Sequence, residues 1–566
     1  MRNHISKVGL LFFVLIITSA GTAFHTRPHK VSPAEKTDIV SCAPAPKGIA
    51  TDVNGKYIPV VPGLGRHTYR ISTKNDSTQF YFNQGLNFYH SYHLREALAS
   101  FKEAARFDTS CAMAYWGQAL SLGPYYNSYY YKMSEGVLPV MQLLRRHMAN
   151  ANEKEKELIH AMQQRYSTDK TNADRNQLDS SYAAAMLMLT EKYVDNDDIK
   201  ALYVDAVMLK HKWDFWNNDG SPKPWTPELV KLCEAIFTRN PVHPAALHYY
   251  IHLTEASKHP ELALRHADVL KDAMPGVGHM VHMATHMYQR NGLFAKGVYV
   301  NEDANAANNA VDSLAPNIGI GKNTGIHIFA VQAYCAMNAG LFSKGMPVYF
   351  RARNRMLDLN SPIEKDAYSQ YVYMLPVIAW VRLGKWQLIL QAPSPDARWK
   401  YASVLDNFAK GMAQVHNKNL HAAKQCLGNL ERDLQDSLLA VRLMPFNKPV
   451  QCGNIAAEIL KGELLYEEGE TAESIEAFKR AVEQEDKLIY REPQEWLIPA
   501  RQYLGAFLLK MNRAKEAEQV YREDLILNPG NGWSLLGMYK SLSAQHKTRE
   551  AAKFKAEYTE ALRPPM

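Results

Sequence analysis

The sequence predicts an all-α fold: an α-solenoid of stacked helix–turn–helix hairpins preceded by an extended N-terminal arm. Three observations carry this reading. Small and aromatic residues recur at fixed offsets in separate parts of the chain, and two histidine pairs repeat at an interval of 34 residues. From Ser77 onward, apolar residues fall at helical spacing almost throughout. A chain of 566 residues exceeds what one globular core organises, and a repeat array resolves this because each hairpin packs only on its neighbours. Hydrophobic content of 46% with 22% charged residues is that of a folded chain. The net charge of +8 has no Lys/Arg run behind it, so it reads as a mixed solvated surface and argues against a nucleic-acid partner.

Residues 1–23 are expected to be a cleaved signal peptide. Arg2 and Lys7 precede an apolar run from Val8 to Ile17, and Gly21, Thr22 and Ala23 supply small residues for cleavage. That run is too short to cross a bilayer and no later apolar stretch is long enough to do so, so a periplasmic or secreted chain with no membrane span is expected. Residues 24–77 contain Pro28, Pro33, Pro44, Pro46, Pro59 and Pro62 and read as an extended arm or linker. Six cysteines (Cys42, Cys111, Cys233, Cys335, Cys426 and Cys452) form no C-x-x-C and specify neither a disulfide framework nor a zinc finger. Cys111, Cys233 and Cys335 lie in apolar helical contexts and read as buried thiols.

The repeat can be followed position by position. With Gly85 as the small residue of a first helix, Ala97 falls 12 residues later, followed by Phe101 and Ala104. The same offsets from Gly505 reach Ala517 and Tyr521, with Pro529 where the second helix should end. From Gly462 they reach Ser474, Phe478 and Ala481. Small residues let the two helices approach, and the aromatic fills the gap between hairpins. These offsets and the 34-residue interval are those of the tetratricopeptide repeat. Residues 78–320 are read as N-terminal helical repeats carrying a histidine cluster, and 321–566 as C-terminal tetratricopeptide repeats. The turns around Gly292, Gly340 and Gly384 (Arg290-Asn-Gly-Leu-Phe and its two counterparts) mark units longer than the standard one, and Lys258-His-Pro is the corresponding turn before them. Residues 123–225 fit poorly, although Glu153–Gln164 and Leu178–Tyr193 read as amphipathic helices. The tyrosines 125, 126, 129, 130 and 131 read either as packing of an irregular loop or as an aromatic groove for a ligand.

Longer motifs extend the resemblance. They are Cys111-Ala-Met-Ala-Tyr-Trp-Gly-Gln-Ala-Leu-Ser-Leu-Gly-Pro, Trp213-Asp-Phe-Trp, Pro222-Lys-Pro-Trp-Thr-Pro-Glu and His248-Tyr-Tyr-Ile-His-Leu-Thr-Glu-Ala-Ser. Glu492-Pro-Gln-Glu-Trp-Leu-Ile-Pro-Ala-Arg-Gln and Tyr521-Arg-Glu-Asp-Leu with Asn531-Gly-Trp complete the set. Together the chain resembles a family of large exported bacterial tetratricopeptide-repeat proteins over roughly Gly63 to Gln545. The resemblance implies an α-solenoid and leaves activity open, since that family has no settled biochemical role. The chain departs from the family at His282-Met-Ala, where His-Met-Pro is common, and at Leu247, where Asn is common.

Chemistry is concentrated in one place. His248/His252 and His282/His286 are i,i+4 pairs, so each pair shares a helix face. His279, His282 and His286 form one stripe, and Glu255 can share the face of His252. One 34-residue period before His248 stands Asp214, and one 48-residue unit after His279 stands His327. A metal site built from Asp214, His248, His252, Glu255, His279, His282, His286 and His327 is therefore expected, and it suits Zn, Cu or Fe. Met280, Met283 and Met287 read as core packing beside it, or as a Cu(I) lure. His67 and His93 fall in family-like stretches and are weaker candidates.

Three readings stay open: histidines that only hydrogen-bond between helices, a structural or sensory metal on a scaffold, and a metal-dependent oxidoreductase or hydrolase with Glu255 as general base. Tyr249 and Met283 stand where H-E-x-x-H would need glutamate, which disfavours that class of zinc protease. No nucleotide-binding, nucleophile-elbow or paired-cysteine motif is evident, so no nucleotide cofactor is expected. The expected partner is a protein or peptide in the concave groove of the solenoid.

Overall fold

The computed structural model describes residues 49–127, 131–168, 174–318, 325–358, 363–441 and 447–562. The expected signal peptide, Cys42, the first half of the arm and Tyr129 and Tyr130 lie outside the described residues. The fold is all-α, and among the described residues no β-strand occurs, only an isolated bridge between Trp216 and Pro222. No helix among them is long and apolar enough to cross a membrane.

The opening hairpin is α1 (Asp76–His90) and α2 (Leu94–Phe107). Less regular helices follow: α3 (Ala112–Ser121), α4 (Val137–His147), α5 (Glu153–Gln164), α6 (Arg175–Lys192), α7 (Asp197–Lys210) and α8 (Thr226–Arg239). The middle consists of α9 (Pro244–Thr254), α10 (Leu264–Ala273), α11 (Gly278–Arg290), α12 (Phe294–Leu314), α13 (Ile326–Asn338) and α14 (Phe342–Leu357). Then come α15 (Ala367–Arg382), α16 (Trp386–Gln391), α17 (Lys400–His416), α18 (Leu420–Asp433), α19 (Pro449–Glu467) and α20 (Thr471–Glu485). The last four are α21 (Ala500–Lys510), α22 (Ala514–Leu527), α23 (Gly532–Ala544) and α24 (Thr548–Ala561).

The small-residue and aromatic offsets predicted from the sequence are visible as contacts. A Cβ placed on Gly85 would lie 2.8 Å from the Phe101 ring, and one on Gly117 only 2.3 Å from it, so one aromatic fills the space left by glycines of two neighbouring helices. Tyr521 does the same between Gly505 and Gly537, and Phe478 packs on Gly462. Ala97, Ala104, Ser474, Ala481 and Ala517 are all fully buried at these seams.

Hairpin turns share a further regularity. The turns after α1, α11, α13, α15, α17, α19, α21 and α23 each contain a left-handed residue: Tyr92, Gly292, Gly340, Gly384, Lys418, Gly469, Asn512 and His546. Glycine adopts that backbone freely, whereas tyrosine does so at a steric cost. Four of the eight are not glycine (Tyr92, Lys418, Asn512 and His546), and of these four only Tyr92 is buried.

The described part of the arm, residues 49–75, is laid against the repeats. Gln84 of α1 accepts from Val61 N and donates to Pro59 O, and Asn87 donates to His67 O. Gly63 accepts from Gly276 N across an approach so close that a Cβ on Gly63 would lie 2.7 Å from that nitrogen. The arm thus joins α1 to the turn that opens α11. At the other end, Trp533 of α23 donates to Met337 O, and Asn531 donates to Asn338 Oδ1. Those contacts set the last repeats against α13.

Candidate metal centre

The first helices of successive middle hairpins, α9, α11 and α13, supply the histidines. Each begins abruptly: Pro244 opens α9 behind the His243 cap, Gly278 opens α11, and left-handed Gly325 precedes α13. His248 and His252 project from α9, His279, His282 and His286 from α11, and His327 from the first turn of α13. All six are buried, none more than 7% exposed. They form two triads, His248/His252/His279 and His282/His286/His327, in each of which one ring nitrogen per residue lies within 4.8 Å of the others.

The hydrogen bonds have a common direction. His248 Nδ1 donates to His90 O at 2.6 Å, and His282 Nδ1 donates to Asn301 Oδ1 at 2.6 Å. Asn301 is held in that orientation because its own Nδ2 donates to Gly297 O. Glu255 Oε1 sits 3.1 Å from His252 Nδ1, and Glu255 Oε2 sits 2.5 Å from His286 Nδ1, so one carboxylate braces a ring of each triad. Arg290 donates to Glu255 O and Ser257 O and fixes the backbone that carries it.

In His248, His252, His282 and His286 Nδ1 faces an oxygen and Nε2 is turned inward, whereas His279 Nδ1 has no hydrogen-bond partner. His248 and His279 meet Nε2 to Nε2 at 3.1 Å, His282 and His286 at 3.2 Å, and His252 Nε2 has no hydrogen-bond partner. Metal-binding histidines present the same arrangement, an oxygen acceptor on one nitrogen and an inward lone pair on the other. Burial lowers the basicity of every ring: His252 to about 3, His282 to about 4 despite the Asn301 bond, and His286 to about 4 despite Glu255. His248, His279 and His327 are also pushed well below the usual range by burial. All six are therefore neutral near pH 7 and able to bind a cation.

Sequence reasoning overlooked several neighbours. Glu492, on the segment between α20 and α21, reaches to 4.0 Å from His286 Nδ1, and its Oε2 has no hydrogen-bond partner. Burial, with the Glu255 charge beside it, holds the Glu492 carboxyl well above its ordinary range, and burial raises Glu255 as well. Glu492 opens one of the family-like motifs, which was the available signal. Tyr92, in its left-handed turn, lies with its ring 4.5 Å from that of His248. Its signal was a bulky aromatic at a hairpin turn where four other hairpins carry Gly292, Gly340, Gly384 and Gly469.

Not every predicted residue joins. Asp214 lies outside the cluster; its carboxylate is half-exposed and pairs with Lys223 at 3.2 Å. His93, the residue before α2, pairs with Glu96 of that helix at 2.7 Å. Glu255, with each oxygen on a different histidine, is placed to orient rings and not to accept a substrate proton. Met280, Met283 and Met287 are fully buried in the apolar core.

No protein-family model matches the chain, and no curated protein matches it. Among solved structures, the human IFIT1 dimer with m7Gppp-AAAA aligns at TM-score 0.35 and 12% identity, over 86% of this chain and 99% of that one. Human IFIT1 with PPP-AAAA gives 0.35 and 11%, over 83% and 93%. The APC/C hetero-tetramer Cut9–Hcn1 gives 0.27 and 10%, over 87% and 78%. Likenesses this loose carry no inference about ligands or activity.

Proposed function

We propose that this chain is a metal-binding α-solenoid in which the two histidine triads each hold a transition-metal ion and Glu255 ties them together. The observation that carries the reading is the polarity of His248, His282 and His286: Nδ1 engaged by an oxygen, Nε2 turned toward another Nε2. With Nδ1 of both His282 and His286 on oxygen, their facing Nε2 lone pairs repel unless a proton or a cation lies between them, and one cation in each triad would engage the inward nitrogens of its three rings. Three imidazoles per ion favour Zn or Cu over Fe, with a fourth position left for Glu492 or water. Ionisation of Glu255 and Glu492 on loading would offset the charge brought into a buried site.

The solenoid around the centre is a scaffold whose concave surface takes a protein or peptide partner, and the leader-like first 23 residues support an extracytoplasmic setting. A second reading, a metal-dependent oxidoreductase or hydrolase, is favoured by one observation: the unpartnered oxygen of Glu492 beside the second triad. In that case Glu492, not Glu255, is the general base.

Elemental analysis of untagged protein tests the proposal. Wild type should carry Zn or Cu, and a His252→Ala/His286→Ala variant should lose it. Equal metal-free states of both after incubation with Zn, Cu and Fe would end the proposal. Turnover in a hydrolytic or redox screen that Glu492→Gln abolishes would favour the enzyme.

A further inference from the structure

A second constellation lies beside the first, outside the six interior histidines. The arm brings His67 down onto α1, α7 and α9, where it meets His90, Asp198 and His243. His67 Nε2 is 2.8 Å from Asp198 Oδ1, and His243 Nε2 is 3.6 Å from the same oxygen. The His67 ring lies 4.6 Å from that of His243 and 5.9 Å from that of His90. One ligand atom each of His67, His90 and Asp198 falls within 4.8 Å of the other two.

His90 is the telling member. It is fully buried, and neither of its ring nitrogens has a hydrogen-bond partner. A buried imidazole with both nitrogens idle loses its hydration without return, a state that folded proteins normally avoid. The ring faces the carboxylate and the two other histidines, so a cation placed among them would satisfy it.

Access separates this place from the interior. His67, Asp198 and His243 line the floor of an open cleft of about 440 Å³, together with Arg66, Arg70 and Lys154. Asp198 is the first helical turn of α7, held where the Asn196 cap opens that helix. His243 accepts from Ala246 N through Nδ1 as the cap of α9, which leaves Nε2 for the Asp198 side.

We propose that His67, His90 and Asp198 form a second, cleft-exposed binding site for a divalent transition-metal ion, with His243 positioning the carboxylate. Two imidazoles and one carboxylate are a donor set taken by Zn(II) and by Fe(II), and three protein ligands leave positions open to water or a small anion from the cleft. His90 also couples the two places: its ring serves the cleft, while its backbone carbonyl accepts from His248 Nδ1 in the interior.

The test is a Zn(II) titration of the full-length untagged chain after metal depletion, comparing wild type with His67→Gln and Asp198→Asn. Loss of one equivalent in both variants, with the interior equivalents retained, supports the cleft site. Unchanged stoichiometry and affinity in both overturns it. Failure of the interior reading is distinguishable: wild type would then bind one equivalent, lost in His67→Gln and kept in His252→Ala/His286→Ala. Should either cleft variant misfold, zinc-edge anomalous scattering from zinc-soaked wild-type crystals decides. A peak among His67, His90 and Asp198 supports the site, and its absence overturns it.

Discussion

His248 and His279 meet Nε2 to Nε2 at 3.1 Å although 31 residues separate them in the chain. The sequence period is 34, and Glu255 and His286, again 31 apart, show the same offset. Equivalent positions on α9 and α11 are thus related by 34, whereas touching positions are one helical turn closer. The second helix of that hairpin is short, a 3-10 turn followed by ten-residue α10.

Asn301 should matter for metal and little for fold. Asn301→Ala leaves His282 Nδ1 without its acceptor and frees the ring to turn. Loss of such an orienting partner typically weakens metal binding about 10–100-fold. Competition with a chromophoric chelator measures this; unchanged affinity would show that His282 is not a ligand.

Glu255→Gln should act with opposite signs on the two forms. Without metal, it removes a buried carboxyl that burial already resists ionising, so the apo protein holds or gains stability. With metal, it removes the anion that braces His252 and His286, so affinity falls. Thermal melts with and without Zn(II) check both signs, and a parallel loss in the two forms contradicts the brace.

Acid should destabilise the metal-free protein. Unfolded histidine takes a proton near pH 6.5, while His252 resists to about 3 and His282 and His286 to about 4. These depressed folded-state values give stability that is complete above about 6.5 and is lost as pH falls toward 4, at about 1.4 kcal/mol per ring per pH unit. Denaturant midpoints near pH 7 and near pH 5 should differ more in wild type than in His252→Ala/His286→Ala. Equal differences would contradict the assigned values.

Two glycines offer a paired test of the packing. Gly117→Ala drives a Cβ to 2.3 Å from the buried Phe101 ring and should cost about 1–3 kcal/mol. Gly428→Ala, within α18 and with nothing within 4 Å, should gain about 0.5–1 kcal/mol from helix propensity. Chemical denaturation reads both; a neutral Gly117→Ala would mean the seam is loose.

Much of this was legible in the chain. The seams at Gly85, Gly462 and Gly505 follow from offsets, because close helix approach demands small residues at fixed spacing. The convergence of His248, His252, His279, His282, His286 and His327 follows from helical spacing and a repeat. Asp214 failed because the period was carried across residues that do not repeat: Trp213 sits in a left-handed turn and Asp214 points to solvent. Glu492, His90 and Tyr92 are missed for a different reason. They reach the site through contacts between distant hairpins, and no local pattern encodes how far a superhelix closes on itself.

The central claim is that inward-facing imidazole nitrogens bind metal, and X-ray absorption at the metal edge of the native protein tests it most directly. The account predicts Zn or Cu with nitrogen neighbours at about 2.0–2.1 Å and the outer scattering of several imidazole rings. A sulfur shell at about 2.3 Å, or native protein free of any transition metal, would contradict it.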